Sequence, residues 1–225
     1  MSKSRLPLII LLSLLLTSPV VAADFNPNTI ISDQELQAWQ SLGRTEIDTF
    51  LRTKKSPLAT LTVPGLNGVT QSVSEIIYQA AQTYQINPKY LLVKLQKEQS
   101  LVTDTTPSQR QLDWATGYGV CDSCDSTDPK LAKYKGFAAQ VDSAAGIMRW
   151  YYENMDAQTW IKRANQTYTI DGQAVTPTTN ATAFLYTYTP HIQGNQNFWK
   201  LWQNWFQAVY PDGTLIKGST PAVYA

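Results

Sequence analysis

The amino-acid sequence predicts a mainly α-helical domain with a helical N-terminal extension and little or no β-sheet. Three observations carry that expectation. Apolar residues recur at helical spacing in several long segments, Ser-x-x-Glu boxes or an Asn-Pro pair open three of them, and the stretches between are polar or rich in Gly and Pro.

Lys3 and Arg5 precede an apolar run from Leu8 to Leu16, and small residues from Val20 to Ala23 follow. That order reads as a secretory signal over residues 1–23, which places the chain outside the cytoplasm, in a periplasm, on a cell wall or beyond the cell. The apolar core is shorter than the roughly 20 residues that a membrane span requires. The extension, 24–70, begins with the box Ser32-Asp33-Gln34-Glu35, which predicts a helix to about Ser41 ended by Gly43; Thr45 should cap a short one carrying Ile47, Phe50 and Leu51. Prolines and glycines make 57–68 irregular. The main domain, 71–209, opens with a second box, Ser72 to Glu75, ahead of Val73, Ile76, Ile77, Ala80, Ala81 and Tyr84 on one face. Asn87 and Pro88 are cap and first residue of a helix to about Val102. Ala138 to Met155 has helical spacing, 165–180 is a hairpin or loop, Ala181 to Tyr188 a helix stopped by Pro190, and Phe198 to Val209 a last helix whose tryptophans belong to the core. In the tail, 210–225, residues 214–225 after Pro211-Asp212-Gly213 read as the start of a β element.

Composition narrows the chemistry. Without Lys3 and Arg5 the 18 basic residues fall to 16 against 17 acidic ones, and no basic run is interleaved with aromatics, so nucleic acid is not the expected partner. Trp and Tyr are abundant beside Gln, Asn and Thr, a mixture that suits sugars, whose C–H faces stack and whose hydroxyls need hydrogen-bond partners. The chain has one histidine, His191, and two cysteines, Cys121 and Cys124. A zinc site would still need a carboxylate, no Gly-x-Ser-x-Gly elbow accompanies the histidine, and His191 reads as a satisfied loop residue. No metal and no cofactor are expected. Catalysis, if the chain has it, falls to carboxylates.

Glu98 is the leading candidate. At roughly 100 degrees per residue it lies about 20 degrees from Leu91, at the edge of the stripe formed with Leu92, Leu95 and Val102. Partial desolvation there would raise its pKa and let it donate a proton to a glycosidic oxygen. The same spacing equally fits a plain ion pair with Lys94 on a solvated face.

The run from Asn87 to Ser100, ending Lys97-Glu98-Gln99-Ser100, resembles the first motif of lysozyme-like peptidoglycan-cleaving enzymes, the soluble lytic transglycosylases and related endo-N-acetylglucosaminidases among them. Gly117-Tyr118-Gly119-Val120 is similar to their glycine-containing second motif, and Leu185 to Pro190 to their tyrosine motif. The resemblance, over roughly residues 72–209, implies a lysozyme-like fold with Glu98 as catalytic acid and then base. It implies Tyr186 facing the glutamate, Tyr118 lining the cleft, and peptidoglycan glycan strands as partner. Ser100, Asp113, Trp114 and Tyr188 join them as substrate-binding candidates, Asp113 also as the best second carboxylate ahead of Asp122, Asp125 and Asp142. Three departures stand out: Gln99 separates Glu98 from Ser100, no Leu-Met-Gln follows the glycine motif, and Thr187 replaces asparagine. The runs at Phe25 to Asn28 and Asp113 to Cys124 are also similar to those of a narrower group of secreted bacterial proteins.

Cys121-Asp122-Ser123-Cys124 in an exported chain without a βαβ pattern reads as a small structural disulfide rather than a redox pair. The expected function is cleavage of the β-1,4 glycan, by hydrolysis or by transglycosylation. A glycan-binding module without activity is the alternative, and a secreted thiol oxidoreductase a third reading. Nothing in the sequence sets the oligomeric state.

Overall fold

The computed structural model describes residues 24–120 and 128–206. The expected disulfide, the signal segment and the tail lie outside them. In chain order the elements are α1 (Asp33–Leu36), α2 (Arg44–Thr53), β1 (Thr62–Pro64), β2 (Thr70–Ser72), α3 (Val73–Tyr84) and α4 (Pro88–Gln99). Then come α5 (Gln109–Asp113), α6 (Phe137–Asn154), β3 (Tyr168–Ile170), β4 (Gln173–Val175), α7 (Asn180–Tyr188) and α8 (Ile192–Phe206). The molecule is mainly helical. Among the described residues the strands form two separate antiparallel hairpins, β1 with β2 and β3 with β4.

α4 is the buried centre. Tyr90, Leu91, Leu92, Val93 and Leu95 are all fully shielded, and Lys89 and Lys94 are buried with them, so this helix is covered nearly all round until its last turn. α8 and α3 pack against it, and α6 crosses α3. Truncating Leu91 would cost about 3 kcal/mol, the usual penalty for a leucine cavity in a close-packed core.

The extension shares this core rather than forming its own: Ile30, Ile31, Leu36, Ile47 and Leu51 belong to the same apolar cluster as α4. Its first helix is shorter than expected, one turn instead of a run to about Ser41. The capping box does form, with the Glu35 N–H donating to Ser32 Oγ and Glu35 Oε2 accepting from the Ser32 N–H. The carbonyls that a longer helix would use are taken by Asn87, whose backbone N–H donates to the Leu36 carbonyl at 2.8 Å and whose Nδ2 donates to that of Glu35 at 2.7 Å. Tertiary donors thus replace the next turn.

Other boundaries shift for local reasons. α2 starts after Gly43, not at a Thr45 cap. The irregular 57–68 stretch contains a 3₁₀ turn at Pro57–Ala59 and then β1. The second box is half formed: Ser72 Oγ accepts from the Glu75 N–H, while the Glu75 side chain turns to Gln79 and Arg44. α4 ends at Gln99, not near Val102, because Ser100 takes a left-handed backbone with φ of 57°. That turn drives Leu101 and Val102 into the core. The hairpin expected in 165–180 and the helix ending at Tyr188 are both present.

Candidate functional site

Glu98 sits in the last turn of α4, where unpaired carbonyls give the helix end a partial negative charge. A carboxylate there needs cations, and it has two. Lys94 Nζ and Lys97 Nζ both donate to Glu98 Oε1, at 2.7 and 2.8 Å. The ion pair is nearly dry: the side chains of Lys94, Lys97 and Glu98 are 4%, 12% and 24% exposed. Burial is the largest single influence on the Glu98 carboxyl and pushes its pKa up, but the two ammonium groups together outweigh it. The net shift is downward, so Glu98 is ionised at neutral pH. This corrects the expectation of a carboxyl that holds its proton. The plain ion pair with Lys94 does form, though buried rather than solvated. Lys94 itself is lowered to about 8, by burial first, with Glu98 opposing. Its Nζ lies 3.6 Å from the centre of the Tyr188 ring, a cation–π contact.

The other carboxylate oxygen faces the glycine turn. Gly117 has φ of +67°, and a Cβ there would stand 3.4 Å from Glu98 Oε2. Glycine serves twice: it permits the left-handed backbone and leaves room beside the acid. Gln140 of α6, fully buried, fastens this turn. Its Oε1 accepts from the N–H groups of Thr116 and Tyr118, and its Nε2 donates to the carbonyls of Tyr118 and Tyr134. In front of the turn lies an open hollow of about 310 Å³, walled by Gly117, Tyr118, Ile147, Tyr151, Thr187 and Tyr188. Glu98 flanks this hollow at Gly117 rather than lining it.

Over residues 29–221 the sequence matches the family model of the LasA N-terminal domain. The chain belongs to that family. The matched span takes in most of the extension with the helices that follow, as the shared core requires. No curated protein and no solved structure matches the chain.

Within this LasA N-terminal domain the predicted site residues separate into two groups. Glu98, Tyr118 and Tyr188 come together around the glycine turn. The others do not join them. Tyr186, expected to face the glutamate, is wholly buried and donates to the Pro27 carbonyl at 3.0 Å, because the helical step from 186 to 188 turns the two rings away from each other. Tyr188 takes the place expected for Tyr186. Trp114 is 7% exposed and ends α5 inside the core, so it is no sugar platform. Asp113 pairs with Lys135 at 3.5 Å and accepts from Gln109, on a different hollow of about 600 Å³ beside β1. Ser100 is exposed and serves as the left-handed stop of α4. His191 pairs with Asp171 in the β3–β4 turn, the satisfied loop role expected of it.

Several residues of the neighbourhood escaped the sequence reading. The Lys94–Glu98 pair was expected, but its burial and the second bond from Lys97 were not, since helical angle alone does not show that α8 covers these side chains. Tyr151 and Ile147 were hidden in the apolar period of α6. Gln140 could have been suspected as a polar residue inside an apolar face. Among the described residues, no three His, Cys, Asp or Glu side chains gather as a metal site, and no helix is long and apolar enough to cross a membrane.

Proposed function

We propose that this domain is an exported peptidoglycan-cleaving module that opens the β-1,4 bond between N-acetylmuramic acid and N-acetylglucosamine with Glu98. One observation carries the reading: a shielded carboxylate stands beside a glycine turn at the edge of a tyrosine-walled hollow. The resemblance of the motifs around Glu98, Gly117 and Tyr188 to those of the lysozyme-like enzymes supports the same chemistry.

The ion pair dictates how the acid is loaded. Glu98 is ionised in the free protein, so its proton comes from solvent, taken up at Oε2, the oxygen that faces Gly117, while Lys94 and Lys97 hold Oε1. A sugar covering Gly117 removes water from the carboxylate, which raises its pKa and favours the protonated acid. Protonated Glu98 donates to the leaving glycosidic oxygen as the C1–O bond breaks. The carboxylate then takes the proton of the muramyl 6-hydroxyl as that oxygen closes on C1, or that of a water that attacks instead. Closure releases an anhydro-sugar, lighter by one water than the hydrolysis product.

Purified protein incubated with peptidoglycan should release soluble muropeptides, and Glu98→Gln should lower that release by about 100-fold or more. Because the Glu98 pKa is lowered, the yield should rise as the pH falls from neutrality toward the carboxyl range. Product masses separate anhydro ends from reducing ends.

The double ion pair favours a second reading, a glycan-binding module without activity, since two lysines hold Glu98 in the wrong protonation state for a resting acid. That reading wins if wild type and Glu98→Gln bind sacculi equally and neither releases product.

A further inference from the structure

A second hollow, of about 430 Å³, adjoins the one beside Glu98 and shares Tyr118 and Ile147 with it. Its volume falls in the roughly 300–1,000 Å³ range of small-molecule sites. Four features of its wall are unusual for surface that does nothing. Trp160 is 55% exposed, an indole left in water at a cost that folding alone does not explain. It is held rather than loose: it stacks on Trp150 with ring centres 5.7 Å apart at 23°, and its Nε1 donates to Gln158. Asp142 stands in the same wall as a fixed acceptor, because Tyr84 donates its hydroxyl to Asp142 Oδ2 at 3.0 Å. Gly146 lets the Tyr84 ring lie close on α6, since a Cβ there would stand 3.2 Å from it and the ring would have to give way by a few tenths of an ångström.

An oriented tryptophan pair beside a half-buried carboxylate matches one class of ligand. A pyranose ring has an apolar C–H face that stacks on indole and equatorial hydroxyls that donate to a carboxylate. A nucleotide or another anion would meet Asp142 as a like charge. A purely apolar ligand would leave the carboxylate desolvated without a donor.

We propose that the hollow formed by Trp150, Trp160, Asp142 and Tyr118 is a pyranose-binding subsite, which takes an N-acetylhexosamine next to the ring held beside Glu98. The choice of sugar rests on the peptidoglycan reading above; the class of ligand rests on the wall alone. The raised pKa of Asp142, caused chiefly by burial with the Tyr84 bond opposing, fits an acceptor that a sugar hydroxyl would help to satisfy.

The probe is the neutral N-acetylglucosamine tetramer, titrated into the full chain with tryptophan fluorescence and calorimetry as readouts. Binding should perturb the indole emission. Trp160→Ala should weaken it about tenfold, the effect of losing one stacked face worth about 1.4 kcal/mol. Asp142→Asn should weaken it severalfold. Thermal unfolding of Trp160→Ala, whose side chain is exposed, shows whether the fold is intact. The subsite is refuted if the tetramer does not bind, or if a folded Trp160→Ala binds it as tightly as wild type. Tetramer binding that needs Trp160, without any release from peptidoglycan, leaves the subsite standing and removes the cleavage reading. Release from peptidoglycan with binding indifferent to Trp160 does the reverse.

Discussion

Two carboxylates at helix ends, Asp33 and Glu98, are held in opposite ways. Asp33 lies at the N-terminus of α7, where Asn180 and Ala181 aim their N–H groups at it, at 3.2 and 2.7 Å, and Tyr152 adds its hydroxyl at 2.7 Å. The helix dipole and the orphan amides both favour an anion there, and neutral donors are enough. Glu98 lies at the opposite kind of end, in the last turn of α4, where the dipole disfavours it and two lysines are recruited to hold it. Asp33 obeys the local rules of helix chemistry and joins the extension to the main domain. Glu98 breaks them and is stabilised only by its neighbours. Departures of this kind from local preference concentrate at functional sites.

The contrast can be broken most forcefully at Lys94. Lys94→Met leaves the buried carboxylate with one cation instead of two and should destabilise the fold by on the order of 3 kcal/mol, read by urea unfolding. It should also raise the Glu98 pKa, because burial then meets only Lys97, and move the pH optimum of muropeptide release toward neutrality. If the optimum does not move, Lys94 is not the group that sets the protonation of Glu98.

Asp33→Asn should cost roughly 2 kcal/mol, since one amide oxygen replaces two charged acceptors at the start of α7. Tetramer binding should be unchanged. A larger loss of binding than of stability would mean that the extension reaches the sugar hollow.

The pH dependence of stability sharpens the comparison further, with a smaller effect. The Glu98 pKa is depressed by folding, so its ion pair supports the fold above the ordinary glutamate range and is lost as the pH falls through the folded value. Wild type should therefore lose stability on acidification more steeply than Glu98→Gln. Lys94 has the opposite sign for a base. With its pKa lowered to about 8, the unfolded chain binds more protons above that value, and stability should rise as the pH climbs toward the ordinary lysine range. Lys94→Met should flatten that limb.

The smallest expected change is at the stop of α4. Ser100→Gly relieves a left-handed serine and should stabilise the fold by about 0.5 kcal/mol, measured as a rise in Tm, with activity unaltered. An activity loss would restore Ser100 to the substrate contacts expected of it.

Helix positions were legible in the sequence where one face was apolar, as in α3 and α6, and where Asn87-Pro88 opened α4. The hairpin and helix preceding Pro190 were legible from turn residues and spacing. The site was legible in part. Glu98 and Tyr118 stood out, whereas Tyr186 and Tyr188 exchanged places because a motif fixes chain order and not which way a ring turns. The pairing of Lys94 with Glu98 was legible from spacing, but its burial, the second bond from Lys97 and the Trp150–Trp160 pair were not, since they depend on what packs over the stretch.

By itself the sequence determined a mainly helical chain, the starts of α3, α4 and α6 to within a residue though not that of α8, and which carboxylate to look at first. Those properties depend on caps, on periodicity and on residue type, all of which act within a few positions along the chain. Only the tertiary structure decided the charge on that carboxylate. Burial by the surrounding helices raises its pKa and two ammonium groups lower it, and the balance between them exists only once α4, α8 and the glycine turn have packed together.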